Sequence, residues 1–104
     1  MDKVVVLITS PSKGEAEKIG RTLVEAQLAA CANILPSVTS IFSWEGKVCQ
    51  EEEVLIVVKS RKTVLERLIE VVKKHHSYSL PEIIALPIIG GSEDYLNWIL
   101  ENTR

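Results

Sequence analysis

Two adjacent histidines, His75 and His76, are the side chains in this sequence best suited to bind a metal ion. Neutral imidazole nitrogens are good ligands for copper and zinc. Adjacent side chains on a regular helix point about 100° apart, so both rings reach one ion only if the helix ends between them. His76 also continues the apolar stripe of the preceding helix, which favours a histidine packed at the helix end. The spacing leaves metal binding and packing both open.

A second set of residues that could do chemistry is Lys59, Tyr78 and Glu82. Lys59 ends an apolar strand and Glu82 precedes another, so both charges are expected at the margin of a sheet. One interpretation is an ion pair, either buried or between subunits. The other is a ligand-binding cleft, in which an enzyme would use the same groups as acid, base and phenolic donor.

The acidic run at residues 51–53 is interpreted as part of a solvated or ion-paired strand, and the alternative is a weak attraction of hard cations. Strand alternation sends Glu51 and Glu53 to one face and Glu52 to the other, so the three carboxylates do not form one oxygen cage. The sequence contains no Walker loop, dinucleotide-binding glycine motif, Cys-x-x-Cys, His-Glu-x-x-His or nucleophile elbow. These motifs therefore assign no catalytic residue.

A long β-hairpin across residues 30–59 is predicted to position several of these side chains. Its turn signal is Glu45-Gly46, because glycine accepts the positive φ that a tight turn requires. Each arm has about 12 residues, which at roughly 3.3 Å per residue gives a ribbon of about 40 Å. The remaining chain is too short to cover the far half of this ribbon. Phe42 and Trp44, near the tip, are therefore predicted to pack against another copy of the protein.

Apolar periodicity predicts a β-α-β-β-α-β order followed by a final helix. The other elements are a central strand at 4–8, a helix at 12–27 with a Ser12–Glu15 capping box, a helix capped by Ser60, an edge strand at 83–89 containing Pro87, and a final helix capped by Ser92. The predicted buried helix stripes are Ala16, Ile19, Leu23 and Ala26, then Leu65, Leu68, Ile69 and Val72. Two right-handed crossovers around a hairpin give an α+β, ferredoxin-like βαββαβ sandwich.

The amino-acid composition limits the classes of protein to which this chain can belong. With 46% hydrophobic and 25% charged residues, the 104-residue chain suits one globular domain, predicted to span residues 1–104. A net charge of −2 argues against a nucleic-acid partner, whose binding site would be basic. The hairpin pairing keeps Cys31 and Cys49 far apart, so both are predicted to be free thiols. No apolar run is long enough to span a membrane or to act as a signal peptide, which predicts a cytoplasmic protein.

Several motifs, in order along almost the whole chain, resemble the CutA family of divalent-cation tolerance proteins. The matching segments are residues 29–34, the hairpin turn 44–47, Glu53 with Lys59, the His-Ser-Tyr run 76–78, the run 81–88 and residues 95–98. The resemblance implies a ferredoxin-like protomer in a very stable homotrimer, packed sheet edge to sheet edge as in the PII signalling proteins. It also implies a link to copper and other divalent cations, with no established enzymatic activity.

The resemblance also bears on a copper site. Some family members bind copper through a cysteine in the first strand and a His-His pair. Here the pair corresponds to His75 and His76, but the first-strand position is Ile8. Loss of the thiolate removes the softest ligand, so we expect Cu(II) or another divalent cation to bind weakly.

Two functional classes therefore remain open. The favoured one is a non-enzymatic homotrimer that binds divalent metal, chiefly Cu(II), and supports metal tolerance. The alternative is a PII-like small-molecule sensor or scaffold, with its ligand in an inter-subunit cleft lined by Lys59, Tyr78 and Glu82. A hydrolase that uses the same cleft is the least favoured class.

Overall fold

The computed structural model describes residues 2–104, so Met1 of the predicted domain lies outside the described residues. Its strands are β1 (Lys3–Ser10), β2 (Cys31–Trp44), β3 (Lys47–Arg61) and β4 (Ile83–Pro87). Its helices are α1 (Lys13–Glu25), α2 (Leu65–His75) and α3 (Glu93–Glu101). All strand pairs are antiparallel and the order is β2-β3-β1-β4. The predicted α+β, ferredoxin-like architecture with a long hairpin and an additional C-terminal helix is confirmed.

The core lies between the sheet and helices α1 and α2. Alternate residues of the two central strands face these helices and are buried, because a strand turns every second side chain to the same side. Burying each aliphatic side chain completely contributes roughly 1.5–3 kcal/mol. The residues with no exposed surface include Val6, Ile8, Leu23, Ile56, Val58, Leu68 and Val72. The predicted helix stripes are confirmed except for Ile69, which is half-buried outside the core cluster, and Ala26, which caps α1 and is exposed.

The hairpin of β2 and β3 turns at Glu45 and Gly46, whose φ angles are 50° and 78°. Two successive positive φ values are typical of a type I′ turn, whose twist suits a hairpin. Phe42 lies opposite Cys49, as predicted. The pairing shifts by one residue between Leu35 and Val38, which places Cys31 opposite Lys59. Both cysteines are free thiols, as predicted. The longest dimension of the molecule is 43 Å, which is close to the length predicted for the hairpin.

The predicted cap of the second helix is wrong. Ser60 belongs to β3, because β1 pairs with that strand as far as Arg61. The Ser60 hydroxyl is buried and donates to the Leu28 carbonyl oxygen at 2.6 Å. A single 3₁₀ turn at Lys62–Val64 leads into α2, and no side chain caps that helix.

The predicted capping box of α1 is only half formed. The Ser12 hydroxyl accepts a hydrogen bond from the Glu15 backbone N–H at 3.2 Å. The second hydrogen bond of a capping box, from the Ser12 backbone N–H to the Glu15 carboxylate, is not formed. It accepts instead from the backbone N–H of Ser77 at 3.2 Å, so it faces the loop after α2 rather than solvent.

The C-terminal elements follow the sequence pattern closely. β4 is an edge strand, as Pro87 predicts, but it ends at that proline instead of at residue 89. The Ser92 hydroxyl caps α3 by accepting from the Tyr95 N–H at 3.4 Å. None of the helices formed by residues 2–104 has the length and apolar content needed to cross a membrane.

Candidate functional site

A groove of about 770 Å³ lies on the side of the hairpin that faces away from the helices. β3 turns Val54 and Ile56 into the core, and alternation therefore points Glu51 and Glu53 to the opposite side. The segment 78–82, between α2 and β4, forms the other wall. The groove is lined by Thr9, residues 40–44, Cys49, Glu51, Glu53 and residues 78–82.

Glu53 and Tyr78 form the central hydrogen bond of this groove. The Tyr78 hydroxyl donates to Glu53 Oε2 at 2.7 Å. Glu53 is only 7% exposed, although it carries a carboxylate. Burial, together with the hydrogen bond to Glu53 and the charge of that residue, raises the pKa of Tyr78 to about 12. Tyr78 is therefore a neutral hydrogen-bond donor at physiological pH.

The charged residues that line the groove are Glu51, Glu53 and Glu82, and its described lining includes no Lys, Arg or His. Partial burial, and then the negative charge of Glu53, raise the pKa of the Glu82 carboxyl above its ordinary value. Carboxylates on low-dielectric walls focus a negative potential. The groove of one protomer therefore attracts cations and disfavours anions.

Lys59 does not join Tyr78 and Glu82 within the protomer. It lies opposite Val5, which lies opposite Leu86, so Lys59 is level with Leu86. Glu82 is four residues before Leu86, or about 13 Å along the strand direction. Lys59 donates to the Asn33 side-chain oxygen instead. The predicted Lys59–Glu82 contact is therefore wrong within one chain.

Glu53 is the residue that sequence reasoning misjudged most. It is expected on a solvated or ion-paired strand, but it is buried and accepts the hydrogen bond of Tyr78. Its partner Tyr78 is 25 residues away in the chain, and no local pattern links the two.

His76 is packed in the protomer through both of its ring nitrogens. It is the C-cap of α2, so the helix does end between the two histidines. Its Nε2 lies 2.6 Å from the Thr9 carbonyl oxygen, to which it can only donate. Its Nδ1 accepts from the Tyr78 backbone N–H at 3.1 Å. A carboxylate oxygen of Glu15 also lies 3.4 Å from this Nδ1.

His75 keeps one nitrogen available. Its Nδ1 lies 2.9 Å from the Val71 carbonyl oxygen and therefore carries the proton. The lone pair of Nε2 then has no hydrogen-bond partner in the part of the chain that the structure describes. Metal binding by His75 and His76 together stays a prediction.

The described residues of one protomer do not form a closed metal site. In residues 2–104, no three His, Cys, Asp or Glu side chains converge as they would around a metal ion. Ile8, at the first-strand position, is completely buried in the core.

The tip of the hairpin is apolar and exposed. Val48 is 82% exposed and Ile41 is 68% exposed. Phe42 and Trp44 are partly exposed and also line the groove. Their predicted role in a trimer interface stays a prediction.

The chain is similar to known proteins over almost its whole length. The family model of the CutA1 divalent ion tolerance protein matches residues 4–102. A divalent-cation tolerance protein CutA of Thermus thermophilus is 50% identical over 99 residues, which cover 95% of this chain and 96% of that relative. The chloroplastic protein CutA of Arabidopsis thaliana is 45% identical over 101 residues, or 97% of this chain, and the match spans 56% of that relative's length.

Solved structures agree with this similarity. The structure of the divalent cation tolerance protein Cut A1 from Thermus thermophilus superposes with a TM-score of 0.97. It is 48% identical, and the match covers 98% of this chain and 99% of that one. Family model, relatives and structure agree over nearly the whole sequence, and the chain therefore belongs to the CutA1 divalent ion tolerance family.

Proposed function

We propose that this protein supports divalent-cation tolerance as a non-enzymatic homotrimer that binds divalent metal, chiefly Cu(II), with low affinity in the cytoplasm. The observation that carries the proposal is the charge of the groove, where Glu51, Glu53 and Glu82 are the charged lining residues. Such a groove raises the local concentration of cations. The names of the relatives, which are divalent-cation tolerance proteins, point to the same ligand class.

The ligands available explain why the affinity is expected to be low. The free Nε2 of His75 is the nitrogen donor that requires no rearrangement. His76 could bind a metal only by giving up a hydrogen bond to Thr9 or to Tyr78. Copper prefers nitrogen and sulfur ligands in a defined geometry. A site that offers few ligands cannot impose that geometry on the ion.

A non-enzymatic role is supported by the state of Tyr78. A general base must lose its proton near the working pH. A tyrosine whose pKa is raised to about 12 and which already donates to Glu53 is poorly suited to that task. This argues against a hydrolase that uses the groove.

Copper titration followed by calorimetry tests the metal proposal. We expect the double variant His75→Ala/His76→Ala to lose most of its Cu(II) uptake, and His75→Ala alone to cause most of that loss. Glu52→Gln, which removes a carboxylate outside the groove, is the control. If the double variant binds as the parent does, the histidines are not the ligands.

The second candidate is a PII-like small-molecule sensor or scaffold. The groove volume of about 770 Å³ favours it, because ligand pockets commonly enclose roughly 300–1,000 Å³. Lys59 lies outside the groove of its own protomer, so an anionic ligand would need a cation from a neighbouring subunit. A competition experiment between Cu(II) and a panel of metabolites separates the two candidates.

A further inference from the structure

The segment 77–82 crosses from the helix layer to the opposite side of the sheet, beside the end of β1. On the helix side, the backbone N–H of Ser77 donates to Glu15 Oε2 of α1 at 3.2 Å. On the other side, the Tyr78 hydroxyl donates to Glu53 of β3 at 2.7 Å. Two consecutive residues of the segment are therefore bonded to the two layers of the protein.

His76 lies between these two attachments, and its side chain has no exposed surface. Its Nε2 donates to the Thr9 carbonyl oxygen at 2.6 Å, and its Nδ1 accepts from the Tyr78 N–H at 3.1 Å. The same Nδ1 lies 3.4 Å from Glu15 Oε2. The ring centroids of His76 and Tyr78 are 4.9 Å apart. One imidazole therefore contacts α1, β1 and the segment 77–82.

These contacts depend on one another because they share chemical groups. Glu15 Oε2 faces both the Ser77 N–H and His76 Nδ1. Tyr78 uses its N–H toward His76 and its O–H toward Glu53. Every buried side-chain polar atom in residues 2–104 has a partner, so release of the segment would leave buried groups unpaired. A network of this kind is expected to open as a unit rather than bond by bond.

We propose that Glu15 and His76 form a latch for the segment 77–82 and act as positioning residues for the surface on which copies of the protein associate. The latch holds Tyr78 against Glu53 on the side of the sheet opposite to the helices. Glu15 itself belongs to α1, in the helix layer. The latch therefore links the helix layer to the other side of the sheet.

The link to association follows from the residues that surround Tyr78. Tyr78 lines the same groove as Phe42 and Trp44, the residues of the proposed trimer interface. Loss of the latch would displace one wall of this groove while Phe42 and Trp44 stay unchanged. The proposal rests on the homotrimer described above and adds residues outside the interface on which association depends.

Hydrogen exchange of the full-length protein, followed for single amides by NMR, tests the latch. We expect Glu15→Ala to speed exchange about tenfold or more at the Ser77 amide, which loses its acceptor. The Tyr78 amide, which donates to His76, should also exchange faster if the contacts open together. Tyr78→Phe, which removes only the hydroxyl, should in turn speed exchange at Ser77.

Two variants of α1 serve as controls for the exchange experiment. Glu17→Ala removes the same charge from an exposed position of the same helix, and it should leave the Ser77 and Tyr78 amides at the parent rate. Glu15→Gln keeps an oxygen that can accept from the Ser77 N–H. We expect it to retain most of the protection that Glu15→Ala loses.

Sedimentation equilibrium tests the effect of the latch on association. We expect Glu15→Ala to weaken association about fivefold or more, the lower end of typical coupling between two sites. Glu15→Gln should associate as the parent does. Val72→Ala controls for a general loss of stability, because Val72 packs in the core on α2 and takes no part in these hydrogen bonds. This variant should melt at a lower temperature but associate as the parent does.

Three results would overturn the proposal. Faster exchange at Ser77 alone in Glu15→Ala would show one local contact rather than a latch. Association of Glu15→Ala at the parent level, with both amides exchanging faster, would show that the latch does not position the interface. An equal loss of association in Val72→Ala would show general destabilisation. A monomeric parent would contradict the homotrimer and the coupling to it, whereas the exchange rates decide the latch in either case.

Discussion

At the scale of single residues, the contact between Tyr78 and Glu53 sets the electrostatic character of the groove's centre. A buried carboxylate is costly to desolvate, and the phenolic O–H is the hydrogen-bond donor that the described chain offers to it. The raised pKa of Tyr78 follows from the same contact and from burial. This residue also donates its backbone N–H to His76, so it links the groove to the end of α2.

We expect Tyr78→Phe to reduce the free energy of unfolding by about 1–3 kcal/mol at pH 7, because it leaves Glu53 without a hydrogen bond. The folded-state pKa of Tyr78 is raised above the ordinary value of 10.0. Its stabilising contribution is therefore complete below pH 10 and is lost as the pH rises to about 12. Urea unfolding of parent and variant across this range measures both effects.

The matched control for this prediction is Tyr95→Phe, on the exposed side of α3. Tyr95 is not hydrogen-bonded to a buried carboxylate, so we expect a smaller change at pH 7. Equal unfolding free energies for Tyr78→Phe and the parent at pH 7 would show that water replaces the phenolic donor.

At the scale of elements, the close approach of α1 to β2 depends on one glycine. A Cβ atom on Gly20 would lie 3.1 Å from the Cβ of Ala32. That neighbour is fixed to the backbone of β2 and cannot turn aside. Gly14, in the same helix, has no atom within 4 Å of such a Cβ. Alanine substitutions at Gly14 and Gly20 therefore separate the effect of helix propensity on stability from the effect of packing against β2.

We expect Gly14→Ala to raise the midpoint of thermal unfolding, because alanine is favoured over glycine in a helix by up to about 1 kcal/mol. Gly20→Ala gains the same propensity but crowds Ala32, so its midpoint should be lower than that of Gly14→Ala. Circular dichroism melting of both variants gives the difference directly. A midpoint for Gly20→Ala as high as that for Gly14→Ala would mean that α1 moves away from β2 without cost.

At the scale of the whole molecule, the hairpin extends beyond what one protomer can cover. Exposed apolar residues on its far half include Ile41 and Val48 on one face and Phe42 and Trp44 on the other. Large contiguous apolar patches on a soluble surface usually mark an interface. The patch therefore supports the proposed homotrimer.

We expect sedimentation equilibrium at micromolar concentration to give three times the protomer mass of 11.6 kDa. Trp44→Asp should shift the equilibrium toward smaller species before it unfolds the protomer, since it places an uncompensated charge in an apolar interface. Glu52→Gln, away from the aromatic face, should sediment as the parent does. A folded monomer of the parent protein would contradict the trimer.

The sequence by itself determined the order of the elements, the turn of the hairpin and the identity of the edge strand. Each of these rests on a local pattern. The positive φ at Gly46 follows from its place between two strands, and Pro87 excludes a central strand because it lacks an N–H. The pairing of Phe42 with Cys49 follows from counting residues outward from the turn. The motifs shared with the CutA1 family reinforced these assignments.

Only the tertiary structure decided which side chains meet. Glu53 and Tyr78 are 25 residues apart, and His76 and Thr9 are 67 apart. Ser60 looks like a helix cap, but pairing of β3 with β1 carries it into the core, where it bonds to Leu28. Lys59 and Glu82 look like an ion pair, but the register of three strands holds them at different levels of the sheet. A short sequence pattern encodes the conformation of its own segment, whereas a site depends on the register and packing of segments that are distant in the chain.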